Sequence, residues 1–482
     1  MSIILEVSNL GPLRSARVEL ADFTLLIGEN NTGKTFFATV VHRVLVAARA
    51  EPWRRGLVSE KEVPVEVLDW LEAGLAADGD ETADGDGRER GAPDAVTQWA
   101  SDYTTARLRA FGVSAREGVE YAYGADASDL RRRTATRRSG DCFLRVRNAE
   151  PAWEVEVRFD SDDVEVNPPD PRVWLELLIG DERARRDSLA ARERSRAGPR
   201  RSAARRFPPG WPWYWGARDG LFRDWPRSPV HLPANRTGFM LSYQVLAAEL
   251  VRQSASVGIR PIEVNPLPGT SADFLALLLS DAENGLTDRR EDPRFRSLLN
   301  ELENDLRAEI ALRERAAGLD SVVAVTPEGE YPLSRVSSML SELAPIVLVL
   351  KGTLGPCDHL TIDEPEAHLH PAMQRTVASF LAGVADRGAG VVVTTHSDFF
   401  LGEINNLIRS GKLADAWAPG PQNGNSASPK PTVCALRFAR EERWCIGRQL
   451  SLDCVDGIDE STFTEVMESL YDESARLINE LL

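Results

Sequence analysis

The chain has 482 residues, of which 43% are hydrophobic, and its formal net charge is −17. This length is enough for two or three domains, and the acidic balance excludes a uniformly basic nucleic-acid coat while leaving room for a local basic patch. The five cysteines form no C-x-x-C pair and no apolar run reaches the roughly 18 residues of a membrane span, so we expect no zinc or disulfide framework, no membrane partner and a cytoplasmic location.

The chain begins with two predicted strands within residues 3–27, joined by the turn sequence Asn-Leu-Gly-Pro at 9–12. The apolar run at 23–27 then predicts a third, buried strand. We expect the first two strands to flank this third one.

A glycine-rich loop follows the third strand. Residues 28–35 read Gly-Glu-Asn-Asn-Thr-Gly-Lys-Thr and fit G-x-x-x-x-G-K-S/T, the phosphate-binding P-loop. Gly28 and Gly33 leave the backbone free to curl around phosphate oxygens. Lys34 offers a positive charge to the β- and γ-phosphates, and Thr35 offers a hydroxyl to Mg²⁺. A helical apolar pattern comes next, so the loop has the strand-and-helix context that the motif requires.

The curled loop and the helix after it direct N–H groups towards an anion. We therefore predict ATP and Mg²⁺ as cofactors. The predicted nucleotide contacts in this part of the chain are Gly28, Asn30, Asn31, Thr32, Gly33, Lys34, Thr35 and Phe36.

The stretch after the P-loop helix carries weaker signals. The expected elements are mostly helix over 37–75, a mobile acidic loop over 76–90, a helix over 94–111, and strands at 143–146 and 153–157. The strands indicate an antiparallel β lobe beside the P-loop core.

Arginines and aromatic residues cluster in the middle of the chain. Ten arginines lie within 182–206, a Trp- and Pro-rich run follows at 207–215, and further arginines stand at 131–133 and 137–138. Arginines neutralise phosphates and aromatic rings stack on bases, which favours nucleic-acid binding. The alternative is a solvated helix whose arginines are offset by nearby acids. Both interpretations stay open, so DNA is an alternative partner.

The next hundred residues predict a helical lobe. Residues 231–238, His-Leu-Pro-Ala-Asn-Arg-Thr-Gly, end a strand and start a turn. We expect helices at 240–255 and 271–285, an amphipathic helix at 294–317 and a hairpin around 328–330.

An apolar strand ends in two adjacent acids at 360–366, Leu-Thr-Ile-Asp-Glu-Pro-Glu. This is the form of a Walker B element. Asp363 would hold Mg²⁺ together with Thr35, and Glu364 would act as general base on the attacking water. Alone, the pattern would be more typical of a strand end with two solvated acids; the P-loop favours the Walker B interpretation.

A second buried strand, Gly-Val-Val-Val-Thr-Thr at 390–395, is followed by His396 and Ser397. Parallel strands carry ligand sites at their carboxyl ends, so we predict that His396 reaches the γ-phosphate, although a histidine there is more often structural. The segments near 30, 363 and 396 should then converge at one edge of a single sheet.

These motifs resemble those of the ABC-type heads of OLD-like and RecF/SMC-like ATPases, and most closely OLD-like ATPases of prokaryotic defence systems. The matching elements are G-x-N-N-x-G-K-S/T at 28–35, Asp-Glu-Pro-Glu-x-His-Leu-His-Pro at 363–371 and Thr-Thr-His-Ser at 394–397. The resemblance covers about residues 1–48 and 330–410. It implies an α/β fold with a P-loop core of ABC-ATPase type, comprising a mixed sheet, an antiparallel β lobe and a helical lobe.

The resemblance also implies an ATP hydrolase that works as a homodimer or higher oligomer of heads. Lys34, Glu364 and His396 would be its catalytic residues. In such heads a signature segment contacts the γ-phosphate bound to the opposite subunit, and here it would place Ser337 and Ser338 at that phosphate. The alternative role of this segment is a simple helix N-cap.

Three features depart from the pattern or leave a choice. Met339 stands where relatives often carry glycine, which weakens the expected contact between subunits. His368 and His370 with Glu366 invite a metal site, but the resemblance favours a segment that faces the dimer partner. Arg236 is similar to the arginine of a recurring Pro-Ala-x-Arg element and would approach the nucleotide or couple the lobes.

The predicted organisation has six parts. They are 1–75 and 331–417 for the ATPase head, 76–230 for a variable β lobe, 231–330 for a helical lobe, 418–431 for a linker and 432–482 for a final strand and helix.

OLD proteins often carry a C-terminal Toprim nuclease, but the acidic cluster Asp453, Asp456 and Asp459 lacks the order of such a site, so we expect a partner effector protein to supply any nuclease or toxin chemistry. The leading hypothesis is an ATP-driven switch. The alternatives are a nucleotide-dependent scaffold with little turnover and a DNA-end-binding clamp.

Overall fold

The fold was determined as a computed structural model, which describes residues 3–49, 64–76, 92–126, 130, 142–161, 163–180, 220–254, 267–279, 292–313, 321–352, 357–415, 430–452, 457–459 and 469–478. Its strands are β1 Ile3–Leu10, β2 Leu13–Glu19, β3 Phe23–Gly28, β4 Phe143–Asn148, β5 Trp153–Arg158, β6 Val164–Asn167, β7 Pro229–Leu232, β8 Glu309–Arg313, β9 Ser321–Thr326, β10 Gly329–Pro332, β11 His359–Asp363, β12 Gly390–Thr395, β13 Ala414–Asp415, β14 Thr432–Glu441 and β15 Trp444–Gln449. Its labelled helices are α1 Lys34–Ala47, α2 Val65–Ala76, α3 Asp94–Tyr123, α4 Arg236–Ser254, α5 Gly269–Leu279, α6 Arg296–Leu306, α7 Ser338–Leu350, α8 Pro371–Asp386 and α9 Asp398–Arg409.

One large mixed sheet organises the molecule. Its twelve strands run in the order β6-β5-β4-β1-β2-β15-β14-β3-β12-β11-β7, with β13 paired to β14. The segment β14-β3-β12-β11-β7 is parallel throughout. These central strands are apolar runs because helices cover both faces of a parallel sheet. The expected α/β class with a P-loop strand at its core is confirmed, and the antiparallel strands continue the same sheet.

The expectation that the first two strands flank the third is wrong. Strand β3 lies between β12 and β14, both parallel to it. Strands β1 and β2 instead pair with each other across the 9–12 turn, and β1 also pairs with β4. A short turn can join only antiparallel neighbours, whereas the parallel neighbours of β3 come from distant parts of the chain.

The alternation of side chains along the central strands divides the core into two layers. Phe23, Leu25 and Ile27 pack with α4 to α9 on one face, and Leu26 packs with α1 to α3 on the other. Successive side chains of a strand point to opposite faces, so one run of apolar residues supplies both layers.

The amphipathic helix expected at 294–317 is shorter than predicted. It begins at Arg296 and ends at Leu306, where Arg307 takes a left-handed φ of 53°. Ile310 therefore lies on β8, which pairs with β9 in a separate three-stranded sheet. The leucine spacing that predicts a helix also suits a helix followed by a strand, so periodicity alone cannot place this boundary. The predicted hairpin of β9 and β10 is confirmed.

Other helix boundaries also differ. The helix expected to end at 111 continues to Tyr123, before Gly124 at a positive φ of 57°. The helix expected from 240 begins at Arg236. The helix expected at 271–285 begins at Gly269, and its description ends at Leu279.

Several predictions concern residues outside the described ranges. These are the acidic loop after residue 76, the arginines at 131–138, the Arg-rich and aromatic runs at 182–215, and the linker up to residue 429. The six-part division of the chain stays a prediction. Of the helices in the described part of the chain, none combines the length and apolar character that a membrane span needs.

Candidate nucleotide-binding site

Three parallel strands bring the predicted motifs to one edge of the sheet. Ile27 on β3 pairs with Thr395 on β12, and Thr394 of the same strand pairs with Asp363 on β11. The strands end at equivalent levels, so the P-loop, the acidic pair and His396 all leave the sheet at its carboxyl edge. The expected convergence of these three segments is present.

The P-loop backbone has the curled conformation that its glycines allow. Gly28 has φ 142° and Gly33 has φ 92°. A Cβ at Gly28 would lie 2.2 Å from the backbone oxygen of Phe438 on β14. Helix α1 then begins at Lys34, so its unpaired N–H groups and the positive end of its dipole face the loop.

The Lys34 side chain is folded into this loop. It is 5% exposed, and its Nζ donates to the carbonyl oxygens of Gly28 and Glu29, both at 2.6 Å. Burial lowers the pKa of Lys34, while nearby carboxylates, first among them Glu364, oppose the shift. Thr32 Oγ1 donates to the Glu29 carbonyl at 2.7 Å and stiffens the same turn.

A cavity of about 700 Å³ lies beside the loop. It brings together most of the predicted site residues from three segments of the chain. Its lining consists of Pro12, Asn30, Asn31, Thr32, Gly33, Lys34, Thr35, Phe36, Glu364 and His396.

Asp363 is placed differently from Glu364. The residue is 1% exposed. Its carboxylate accepts from Thr394 Oγ1 at 3.0 Å, and its Oδ2 lies 3.0 Å from His231 Nε2. It does not line the cavity, whereas Thr35 does. The predicted pairing of Thr35 and Asp363 on one metal ion therefore stays a prediction.

Glu364 has an unusual backbone. Its φ is 46°, a left-handed conformation that costs a residue with a Cβ about 1–2 kcal/mol. The Glu364 N–H donates to the Thr394 carbonyl at 3.0 Å, and Arg236 Nη2 donates to the Glu364 carbonyl at 3.2 Å. The side chain is 31% exposed and lies 3.8 Å from His396 Nδ1. The fold thus holds this carboxylate at the cavity wall at a cost in backbone strain.

Glu366 has the opposite environment. It is 3% exposed, and its Oε1 accepts from Thr395 Oγ1 at 2.6 Å and from the His396 N–H at 3.0 Å. Burial raises the pKa of Glu366. Through these hydrogen bonds the carboxylate connects the loop after β11 to the end of β12. It thereby helps to position His396, whose side chain is 42% exposed.

The signature serines lie apart from this cavity. Ser337 caps α7, with its side chain accepting from the Leu340 N–H, which is the N-cap role held open from the sequence. Neither Ser337 nor Ser338 lines the cavity of its own chain, and both are exposed. Met339 packs against the core. A contact of the serines with a second copy of the chain stays a prediction.

The two histidines after the acidic pair are both exposed. His368 has a φ of 59°, and His370 caps α8 by accepting from the Ala372 N–H at 3.3 Å. Within the described ranges, no group of three or more His, Cys, Asp or Glu side chains is arranged to hold a metal ion.

Two buried residues near the site were missed or only weakly indicated by the sequence. His231 contacts Asp363 and packs against the ring of His42, with centroids 5.2 Å apart. Arg236 is fully buried and contacts both residues of the acidic pair through their carbonyls. The element Pro-Ala-Asn-Arg marked this region, but nothing in it identifies partners more than a hundred residues away.

Comparison with known families gives one match. The sequence model of the family described as "AAA domain, putative AbiEii toxin, Type IV TA system" matches residues 100–402, which is more than half of the chain. Asp363, Glu364 and His396 lie inside the match and the P-loop precedes it. A comparison with curated protein sequences finds no match.

Solved structures of SMC heads are similar to the chain. The SmcHead bound to the C-winged helix domain of ScpA is 11% identical with a TM-score of 0.39, covering 93% of this chain and 97% of that one. The SMC head domain from Thermotoga maritima is 9% identical with a TM-score of 0.36, covering 94% and 100%. An Smc head domain bound to the C-terminal domain of ScpA derived from Pyrococcus furiosus is 9% identical with a TM-score of 0.35, covering 97% and 98%.

Proposed function

The chain belongs to the AAA domain family whose sequence model it matches, and on that premise we propose that it is a Mg²⁺-dependent ATPase whose heads associate when they bind ATP. The observation that carries this proposal is the cavity beside the P-loop, which is lined by Lys34, Thr35, Glu364 and His396. These residues come from segments that follow three neighbouring strands of one sheet. Phosphate-binding groups and a carboxylate suited to activate water share one space.

The residues present fit a nucleoside triphosphate. The loop curls at Gly28 and Gly33, and the N-terminus of α1 faces it, which together form an anion-binding site. The Lys34 amine already donates to loop carbonyls, so it is directed into the curl that phosphates would fill. Thr35 and Asp363 would hold Mg²⁺, whose chemistry when bound is to neutralise charge on the phosphates.

We assign different catalytic roles to Glu364, Lys34 and His396. We assign Glu364 as general base, because its carboxylate lines the cavity and its backbone is restrained on both sides. Lys34 would neutralise charge on the transferred phosphoryl group, and His396, beside Glu364, would contact the γ-phosphate. Glu366 would keep the His396 backbone in place.

We propose a homodimer or higher oligomer in which Ser337 and Ser338 reach the nucleotide of the opposite head. Their exposure at the N-terminus of α7 supports this arrangement, because a helix N-terminus favours a bound anion. ATP binding would then stabilise the associated state, and hydrolysis would release it.

The biological role that we propose is a cytoplasmic switch of OLD-like type in a prokaryotic defence system. The family description names a toxin of a type IV toxin–antitoxin system, which supports a role in a system of two components. We separately propose that a partner protein acts as the effector. DNA binding through the Arg-rich region is an additional proposal.

A second candidate function is a nucleotide-dependent scaffold that turns over rarely. Met339 favours it, because a bulky residue replaces the glycine that permits close backbone approach. The third candidate, a DNA-end-binding clamp, depends on arginines outside the described ranges.

Steady-state phosphate release with and without duplex DNA separates these candidates. The ATPase proposal predicts release by the wild type and ATP binding without release by Glu364→Gln. A scaffold would bind ATP with almost no release in either protein, and a clamp would need DNA for release. Unchanged release by Glu364→Gln would show that Glu364 is not the general base.

A further inference from the structure

Arg236, the first residue of α4, is a fully buried cation behind the acidic pair. Its side chain is 0% exposed. Its Nη1 donates to the Asp363 carbonyl at 2.8 Å, and its Nη2 donates to the Glu364 carbonyl at 3.2 Å. One guanidinium therefore holds the main chain of both residues at the end of β11.

The same guanidinium contacts α7. Arg236 Nη2 lies 3.4 Å from Glu342 Oε2, and its Nε donates to the Glu342 carbonyl at 3.4 Å. Glu342 is itself buried and stands about one turn after Ser338, where the helix begins. Arg236 thus joins α7, which begins at Ser338, to the acidic pair at the end of β11.

A contribution to folding stability is a weak explanation for the buried ion pair of Arg236 and Glu342. Desolvation cancels much of the attraction between two buried charges, and apolar residues of similar volume often hold two elements together equally well. A guanidinium adds geometry, because its donors lie in one fixed plane. Here that plane restrains Glu364, whose left-handed backbone is otherwise unfavourable.

We propose that Arg236 and Glu342 couple the association of two heads to the placement of the general base. When a second copy of the chain engages the N-terminus of α7, a shift of that helix passes through Glu342 and Arg236 to the backbone of Glu364. This inference rests on the proposed ATPase function. Neither residue lines the cavity, so both are positioning residues.

The test uses the full chain and a double variant, Arg236→Met with Glu342→Leu, because removing one charge alone would leave the other buried and unpaired. The matched control is Lys351→Met with Glu303→Leu. Lys351 and Glu303 form an ion pair at 2.8 Å, and both side chains are largely buried. The pair lies at the C-terminal end of α7. Phosphate release per chain is measured against protein concentration at saturating Mg-ATP, and ATP affinity is measured at low protein concentration.

We expect release per chain to rise with protein concentration in the wild type and in the control. In the Arg236/Glu342 double variant this rise should be smaller by a factor between about 5 and about 150, while its ATP affinity should stay close to that of the wild type. Arg236→Lys, which keeps the charge but lacks the planar donors, should bind ATP and show a reduced rise. This single variant also serves as the test if the double variant does not fold.

A folded double variant that keeps the full rise would overturn the coupling, as would a control that loses it equally. A wild type that hydrolyses ATP at a rate per chain independent of concentration would overturn it as well. A wild type that binds no ATP would instead refute the proposed function.

Discussion

Glu364 and Glu366 are two residues apart, yet the structure predicts opposite consequences for their replacement by alanine. Glu364 is 31% exposed and Glu366 is 3% exposed. Removing the Glu364 carboxylate should lower ATP turnover by about 10²- to 10⁴-fold, the usual contribution of a general base. The free energy of unfolding should change by no more than about 0.5 kcal/mol, as at most surface positions.

Glu366→Ala should act mainly on stability. It removes the acceptor of two donors, Thr395 Oγ1 and the His396 N–H. A buried donor left without a partner costs about 1–3 kcal/mol, and loss of a desolvated charge offsets part of that cost. We therefore expect the free energy of unfolding to fall by about 2–4 kcal/mol.

Urea unfolding followed by circular dichroism at pH 7 and phosphate release at saturating ATP measure the two effects separately. A loss of stability in Glu364→Ala as large as that in Glu366→Ala would contradict these assignments. Wild-type turnover in Glu364→Ala would contradict them equally, because the partly exposed carboxylate would then have no chemical role.

Two further predictions concern the sheet around the site. Gly28→Ala should lower the free energy of unfolding by about 3 kcal/mol or more, from a strained φ and a clash with the paired strand β14. The control Gly402→Ala, a helical glycine with open space around an added Cβ, should instead stabilise by about 0.5–1 kcal/mol in urea unfolding; equal effects would contradict the prediction. Burial lowers the pKa of His359 from 6.5 to about 4, so the unfolded chain takes up a proton before the folded one. His359 should therefore contribute a loss of stability of up to about 3 kcal/mol as the pH drops from 6.5 to 4. Urea titrations at pH 6.5 and at pH 4 measure this loss of stability, which should be smaller in His359→Gln than in the wild type. An equal loss in both proteins would show that another group is responsible.

The motifs were predictable because each is local. The P-loop and the runs that end at Asp363 and Thr395 combine an apolar strand with polar residues at its end, and parallel strands bring such ends to one edge. Periodicity and glycine placement therefore predict, from the sequence, that these segments meet.

What could not be predicted depends on distant pairing. Strand β14 lies beside β3, although about four hundred residues separate them, and no local pattern selects that neighbour. The contact of His231 with Asp363 arises in the same way, and so do the contacts of Arg236 with Glu342, Asp363 and Glu364. Ile310 shows the other limit, since its spacing suited both a helix and the strand that forms.

The most direct test of the account is a calorimetric titration of ATP with Mg²⁺ into the full chain, comparing wild type with Lys34→Met and Lys412→Met. Lys34 is folded into the P-loop, whereas Lys412 is exposed elsewhere on the surface. Loss of the charged contacts of Lys34 should weaken ATP binding by about 10- to 100-fold, and Lys412→Met should bind as the wild type does. Equal affinity of all three proteins would contradict the claim that this loop holds the phosphates.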